Sequence, residues 1–548
     1  MIQKILTHDF HIFDRITFFI FATHDDQPIA MKLTPEQDAI LAIDANLKVN
    51  AVAGSGKTTT IVAYAKSRPN DAKILYLAFN QTVKQEAILR FQQAGLYNVT
   101  VETAHSLAFR YIVRRGGYQL KQNGYSIPET VNVLELQSSM PIQRAYLFAH
   151  HIDKLLRFYC NSSVKSAEEL DYFSLLSDDK AKAFVKMNYA EIVDYTRTFI
   201  RKMNQAEIEI THDFYLKKFQ LIRPSLPYDY IFFDEGQDAS SVMLDIFLKQ
   251  PAKKMIVGDL HQQIYSWRHA VNALEETDFT TFPLTKSFRF HADIALLAES
   301  ILEWKSYLHI KDDLSIQGVG ITENKHQKIV LGRTNLGLLR EAIRYIHDPS
   351  LTGSIYFEGS IYAYTHTEEG TSLYDVVNLH LGKIDKIHSP MIKSFANLEA
   401  LEEYAEETND TQLKMLIELV RLYGAKIFGV MKKLKDRLVA KEDKDHADLL
   451  FSTVHRSKGL EYDEVYLVED FITEDDVKRL AKNSDTIQNL KTIEEINLLY
   501  VAITRAKHTI YIAESMLPKD FPQLPHIRIM NPKVRANYLQ EFYNIGRK

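Results

Sequence analysis

Ala51-Val-Ala-Gly-Ser-Gly-Lys-Thr-Thr59 decides how the rest of this chain is read. It sets two glycines, a lysine and two threonines between an apolar run, Leu47-Lys-Val-Asn-Ala-Val52, and a helical pattern. That pattern runs from about Lys57 to Arg68 and is closed by Pro69-Asn70-Asp71. Gly54 and Gly56 can adopt backbone angles that turn successive N–H groups inward, and those amides with the helix N-terminus form a cradle for anionic phosphates. The segment Ala53 to Thr59 is therefore the expected nucleotide-binding stretch. Lys57 would reach the β- and γ-phosphates and Thr58 would coordinate Mg²⁺. The pattern G-x-x-x-x-G-K-[ST] departs here only at its first position, Ala51.

Outward from the cradle the chain alternates. Lys73-Ile-Leu-Tyr-Leu-Ala-Phe79 reads as a buried strand, Gln81 to Gln93 as a helix, and Val99-Thr-Val-Glu102 as a strand, the rhythm of a parallel sheet. Ser106 to about Ile222 is mostly helical, and strands return at Tyr228-Asp-Tyr-Ile-Phe-Phe233. This last strand runs into Asp234-Glu235-Gly-Gln-Asp238, an acidic pair at the end of a strand, where open α/β sheets bind ligands. Asp234 is the candidate Mg²⁺ ligand and Glu235 the candidate base for an attacking water. A short strand from Met255 then reaches Gly258-Asp259. Beyond it, Gln262 is a candidate γ-phosphate sensor, and Tyr265, Trp267 and Arg268 are candidate contacts to unpaired bases.

Composition bounds the partners. With 548 residues the chain should hold several domains, and 46% hydrophobic with 25% charged residues is an ordinary globular mixture. The single cysteine, Cys160, excludes an intramolecular disulfide framework and a Cys-based zinc cluster. A net charge of −5 gives no global attraction to nucleic acid, so any such site must be a local groove. The apolar run Ile16–Ala22 is too short to span a bilayer. Residues 1–30 are expected to be a dispensable extension, or Met31 the natural start, and a cytosolic location is expected.

Taken together, these segments resemble, in order from Leu33 to Lys507, superfamily 1 DNA helicases of the UvrD/Rep type, and within them the F-box DNA helicases and their bacterial relatives. Leu33-Thr-Pro-Glu-Gln37 resembles the Q motif, in which Gln37 would read adenine. Leu77-Ala-Phe-Asn80 and Thr103-Ala-His-Ser106 resemble two single-strand contact motifs, implying DNA roles for Phe79, Asn80 and His105. Val257 to Ala270 resembles the motif that couples γ-phosphate to DNA, with His269 in place of its usual glycine. Leu284-Thr-Lys-Ser-Phe-Arg-Phe290 resembles motif IV, implying adenine stacking by Phe288 and a γ-phosphate role for Arg289. Thr453-Val-His-Arg-Ser-Lys-Gly-Leu-Glu461 resembles motif V, with His455 near DNA and Glu461 near the ribose. Asn497-Leu-Leu-Tyr-Val-Ala-Ile-Thr-Arg-Ala-Lys507 resembles motif VI, making Arg505 the second arginine finger.

The resemblance implies an α/β protein with two RecA-like parallel-sheet domains in tandem, each carrying a mainly helical insertion. The expected division is 31–105 with 223–283, insertion 106–222, 284–371 with 450–516, insertion 372–449, and a tail 517–548. Strands of the second sheet are expected at Lys328–Leu331, Glu464–Val468 and Thr509–Ala513. The implied activity is ATP- and Mg²⁺-dependent 3′→5′ movement on single-stranded DNA and unwinding of 3′-tailed duplexes, in repair or recombination. Two alternatives stay open: a translocase that strips proteins such as recombinase filaments, and a nucleotide-gated adaptor. The thirty-two residues before the Q motif are too few for an F-box, so no ubiquitin-ligase role is carried over. Lys432, Lys433 and Lys435 are read as a solvated helix face rather than a duplex contact.

Overall fold

The computed structural model describes residues 32–266, 269–310, 315–320, 327–367, 370–482 and 486–530. Residues 1–31, on which the expectation of a dispensable extension falls, lie outside these, as do Trp267 and Arg268.

Six strands make the first sheet: β1 (Leu47–Ala51), β2 (Ile74–Ala78), β3 (Val99–Thr103), β4 (Tyr230–Phe233), β5 (Lys253–Gly258) and β6 (Thr280–Leu284). Their order is β3-β2-β4-β5-β1-β6, and every pairing is parallel. Strands β2 and β4 are buried along their whole length, which is why they read as unbroken apolar runs rather than as alternations. The order sets the carboxyl ends of β4, β5 and β1 side by side. β6 has no such sequence signal: Thr280-Thr-Phe-Pro-Leu284 contains a proline and is largely exposed, a composition that an edge strand accommodates.

The second sheet follows a short parallel ribbon of β7 (Lys286–Ser287) and β8 (Gln317–Gly318). It contains β9 (Lys328–Gly332), β10 (Ile355–Phe357), β11 (Leu449–Thr453), β12 (Tyr462–Leu467), β13 (Ala506–Ala513) and β14 (Ile527–Met530). The order is β10-β11-β9-β12-β13-β14, again all parallel. The architecture is thus α/β with two parallel sheets in tandem, as the sequence implied. β14 lies in the stretch expected to be a tail. It is hydrogen-bonded to β13 from Ile527 to Met530, so this part of the chain completes the sheet.

Helices separate β3 from β4, the longest being Ile142–Asn161 and Asp179–Asn204. A second helical block, including Leu373–His380, Leu398–Glu407, Thr411–Tyr423 and Ile427–Asp436, separates β10 from β11. The blocks touch: Lys154 Nζ donates to Thr408 O at 2.6 Å, His151 Nε2 lies 3.0 Å from Glu407 O, and Lys414 pairs with Asp178. In the Ile427–Asp436 helix Ile427, Val430, Met431 and Leu434 are buried while Lys432, Lys433 and Lys435 face solvent. Among the described residues no helix is long and apolar enough to cross a membrane.

The two sheet domains share a buried boundary. Val52, Ala53 and Ile264 from the first pack into the cluster that holds Ile294, Leu331 and Tyr500 of the second.

Candidate active site

The loop after β1 turns through Gly54 (φ 76°) and Gly56 (φ 82°), both left-handed, and Gly56 caps the helix Lys57–Lys66. Thr58 and Thr59 occupy the first turn of that helix. Ser55 is buried in the loop, and its Oγ has no hydrogen-bond partner among the described residues. A buried orphan hydroxyl between two left-handed glycines at a helix N-terminus fits an anionic ligand. Gln37 is buried beside the loop, its Oε1 accepting from Thr34 N–H (2.9 Å) and its Nε2 donating to Thr60 Oγ1 (2.9 Å). It thereby joins the first described helix to the cradle helix.

The acidic pair meets the cradle directly. Lys57 Nζ lies 2.9 and 3.0 Å from the two carboxylate oxygens of Glu235. Glu235 has φ 52°, a left-handed conformation that bends the chain sharply at the end of β4. Asp234 accepts hydrogen bonds from the Tyr76 hydroxyl and from Glu235 N–H (2.9 Å). Burial and the neighbouring Glu235 charge push the Asp234 carboxyl up. Burial acts on Glu235 in the same direction, but Lys57 and Lys458 outweigh it and hold that carboxyl low.

Two residues without a role in the sequence reading organise this pair. Gln237 Nε2 donates to Glu235 Oε2 (2.5 Å), and its Oε1 accepts from Asp259 N–H (3.1 Å), tying the end of β4 to the end of β5. A Cβ on Gly258 would come within 2.3 Å of that Oε1, so a larger residue there would push the Gln237 amide off Asp259. Asp259 Oδ2 in turn accepts from Gln262 Nε2 (2.7 Å) and from the Tyr500 hydroxyl (3.0 Å), which comes from the second domain. Both Gln237 and Tyr500 stood inside quoted motifs; only their contacts distinguish them.

The arginines arrive by different routes. Arg289 follows β6, the edge strand next to β1, and Phe288 N–H donates to Gly54 O at 2.9 Å. β6 ties the start of motif IV to the first sheet, while Phe290 enters the core of the second. Arg289 binds Glu461 Oε2 (2.8 Å) and Thr504 O (3.1 Å), and Glu461 is shared with Lys507 (3.1 Å). Glu461, expected near a ribose, is thus placed as the partner of two cations. Phe288 is 51% exposed, an open ring face beside the cradle, with Lys286 Nζ 5.7 Å from its centroid. Arg505 does come from the second sheet, at the start of β13, and is fully buried. It donates to Val501 O (3.0 Å), Leu460 O (3.1 Å) and Thr504 Oγ1 (3.2 Å), all neutral. Burial, reinforced by Arg289, lowers its pKa to about 9.

A second cluster is joined to Gln262 through Lys458. The Phe79 and Tyr265 rings stack at 6.0 Å, Tyr265 packs against His455 at 5.9 Å, and the Tyr265 hydroxyl donates to His455 O (2.8 Å) across the domain boundary. Lys458, also unassigned from sequence, sits 5.0 Å over the Tyr265 ring and donates to Gln262 O and Asp238 Oδ2, each at 2.5 Å. Asn80 and His105 are held by other contacts. Asn80 caps the helix Gln81–Gln93 through Val83 N–H (2.9 Å), while His105 lies 3.8 Å from Asp213 and edge-on to Tyr215. His269, where the resembled motif has glycine, has φ 60°, the backbone a glycine supplies freely, and its ring stacks on Phe158 at 4.8 Å.

Comparison with known families gives two matches, to the UvrD/REP helicase N-terminal domain over residues 33–278 and to the UvrD-like helicase C-terminal domain over residues 184–516. The chain is 31% identical to F-box DNA helicase 1 of Gallus gallus over 89% of its length and 29% identical to F-box DNA helicase protein 1 of Schizosaccharomyces pombe over 90%. It spans 49% and 58% of those two proteins' own lengths. It is also 24% identical to Gabija protein GajB of Bacillus cereus, covering 94% of that protein. With two matched domains, paired parallel sheets and a phosphate cradle joined to an acidic pair, this chain belongs to the UvrD-like helicase family.

Proposed function

We propose that this chain is an ATP-driven DNA helicase that moves along single-stranded DNA in the 3′→5′ direction and opens 3′-tailed duplexes, acting in repair or recombination. One observation carries the reading. Gln262 is bound through its side chain to Asp259 in the nucleotide cluster and through its carbonyl to Lys458, which covers the Tyr265 ring. A single residue therefore links the cradle to an aromatic surface suited to unpaired bases.

ATP with Mg²⁺ supplies a phosphoanhydride bond whose cleavage drives movement; the amides of Ala53 to Thr59, with Gln37, Phe288 and Glu461 at the base and ribose, would hold the nucleotide, and Thr58 and Asp234 the ion. Lys57 gives up Glu235 to neutralise phosphate. Glu235, freed but still oriented by Gln237, accepts the proton of the attacking water. Arg289 and Arg505 stabilise the charge that develops in the transition state, and the low dielectric around Arg505 strengthens its contribution. Gln262 reports the change to Tyr265, Phe79 and His455, with Trp267 and Arg268 in the same segment and Asn80 and His105 on adjoining helices.

The test is ATP hydrolysis with and without single-stranded DNA or RNA, paired with unwinding of 3′- and 5′-tailed duplexes. Stimulation by DNA and opening of the 3′-tailed duplex is the expected result. DNA-stimulated hydrolysis without unwinding would favour protein displacement, and hydrolysis indifferent to either strand would end the motor reading.

A further inference from the structure

His291, Asp293 and His526 meet in the second domain, none of them among the residues of the candidate nucleotide site. His291 caps the helix Ala292–Leu302, Asp293 lies in its first turn, and His526 precedes β14. One potential ligand atom from each lies within 4.8 Å of the others. The two imidazole rings are 4.3 Å apart at 37°, and His291 Nδ1 is 3.5 Å from Asp293 Oδ1.

The surroundings prepare these groups for a cation. His526 Nδ1 lies 2.8 Å from His508 O, a carbonyl that can only accept. The proton is therefore on Nδ1, and the Nε2 lone pair is left to bind, the usual support of a metal-ligating histidine. Asp293 Oδ2 accepts from His526 N–H (3.2 Å), so the carboxylate and the second imidazole are held in fixed relation. The His508 ring stands edge-on to His526 at 4.8 Å, closing one side. A helix N-terminus by itself repels cations, and Asp293 supplies the charge that reverses this. His291 is exposed, and giving up the 3.4 Å hydrogen bond that its Nδ1 accepts from Asp293 N–H lets its ring swing the short distance that brings three ligands to about 3.3 Å from one another, the spacing implied by zinc bonds of about 2.0–2.1 Å.

We propose that His291, Asp293 and His526 form a binding site for one divalent transition-metal ion of the zinc class, with a fourth position open to water. Two neutral imidazoles and one carboxylate select such an ion over Mg²⁺ or Ca²⁺, which prefer oxygen ligands. The ion would clamp the helix Ala292–Leu302, whose cap His291 lies two residues beyond Arg289, to the segment leading into the edge strand β14. The site stands independently of the motor reading.

The test uses the full chain, stripped with a chelator and titrated with ZnCl₂ in excess MgCl₂, which occupies the carboxylates of the nucleotide cluster. Calorimetry and elemental analysis should give one zinc per chain, zinc should raise the melting temperature, and CoCl₂ should give visible absorption bands of a histidine-ligated ion. His291→Ala, at an exposed position, and Asp293→Asn should each weaken zinc binding by about 100-fold, the upper range for disturbing a metal site. The melting temperatures of the metal-free variants verify folding, and His526→Gln serves as a third test. No saturable zinc binding, or binding undiminished in both His291→Ala and Asp293→Asn, overturns the proposal.

Discussion

Lys57 Nζ and Glu235 Oε1, 178 positions apart in the chain, lie 2.9 Å from one another, so the lysine of the phosphate cradle is held by the candidate catalytic base. Each satisfies the other's partly buried charge, and nucleotide phosphate must compete with Glu235 for Lys57. Glu235→Gln should therefore bind ATP at least as well as the parent while turnover falls by about 10²–10⁴, the usual contribution of a general base. Lys57→Ala should lose affinity and turnover together, because Glu235 and Asp234 then face the phosphates uncompensated. Fluorescent-nucleotide titration beside steady-state ATPase separates the two, and near-normal turnover in Glu235→Gln removes that residue from the mechanism.

The two arginines should differ in what else they support. Arg289→Ala and Arg505→Ala should each reduce turnover by a factor on the order of 10³–10⁵. Arg505 is buried and satisfies Val501 O, Leu460 O and Thr504 Oγ1, so its loss should also lower the melting temperature, whereas Arg289→Ala should leave it nearly unchanged. Normal hydrolysis in either variant means that the arginine does not act on the nucleotide.

Gly54→Ala probes how closely motif IV sits on the cradle. The added Cβ would meet Arg289 Cβ at 2.5 Å and Ser287 Oγ at 2.8 Å, at a φ of +76°. The backbone strain alone should cost on the order of 1–3 kcal/mol. Relief requires Arg289 to move away, so ATPase should collapse while nucleotide binding declines less. An active Gly54→Ala enzyme would show that this contact is dispensable.

Tyr265→Ala removes the ring shared by Phe79, His455 and Lys458. Loss of one stacked base is worth about 1–3 kcal/mol, so single-strand affinity should fall roughly 5- to 150-fold. Strand-stimulated ATPase should suffer more than hydrolysis without DNA. Trp267→Ala is expected to behave alike. Fluorescence anisotropy with a labelled oligonucleotide decides, and unchanged affinity in both variants would place the DNA path elsewhere.

The contact between the helical blocks should be acid-sensitive. Burial, followed by nearby positive charge, lowers His150 and His151 to about 3. His151 contacts Tyr172 OH (2.9 Å) and, across the blocks, Glu407 O (3.0 Å). A histidine kept neutral by folding stabilises fully above its unfolded pKa of about 6.5, and this stabilisation is lost progressively as pH falls from there toward 3. At pH 5 the loss should be on the order of 2 kcal/mol per histidine. Denaturant melts from pH 7 to pH 5 should show a flatter pH dependence in His151→Gln than in the parent. Parallel curves would mean that His151 is not a source of the acid sensitivity.

The amino-acid sequence alone determined the buried strands and most of the candidate site residues. A parallel strand covered on both faces must be an unbroken apolar run, so β2 and β4 announced themselves. A phosphate loop needs glycines at left-handed positions and a lysine beside them, so Gly54, Gly56 and Lys57 did too. Edge strands carry no such constraint, because one side meets solvent. β6 with its proline and β14 beyond Met516 became visible only as partners of β1 and β13. That is also why the attachment of Arg289 to the first sheet had to await the fold: β6 sets it. Tertiary structure alone assigned Gln237, Tyr500 and Lys458, whose identities are ordinary until Glu235, Asp259 and Gln262 stand at hydrogen-bonding distance. It alone brought Asp293 to His526 across 233 positions, because hydrogen bonds and metal coordination act over about 3 Å of space and leave no trace in spacing along the chain.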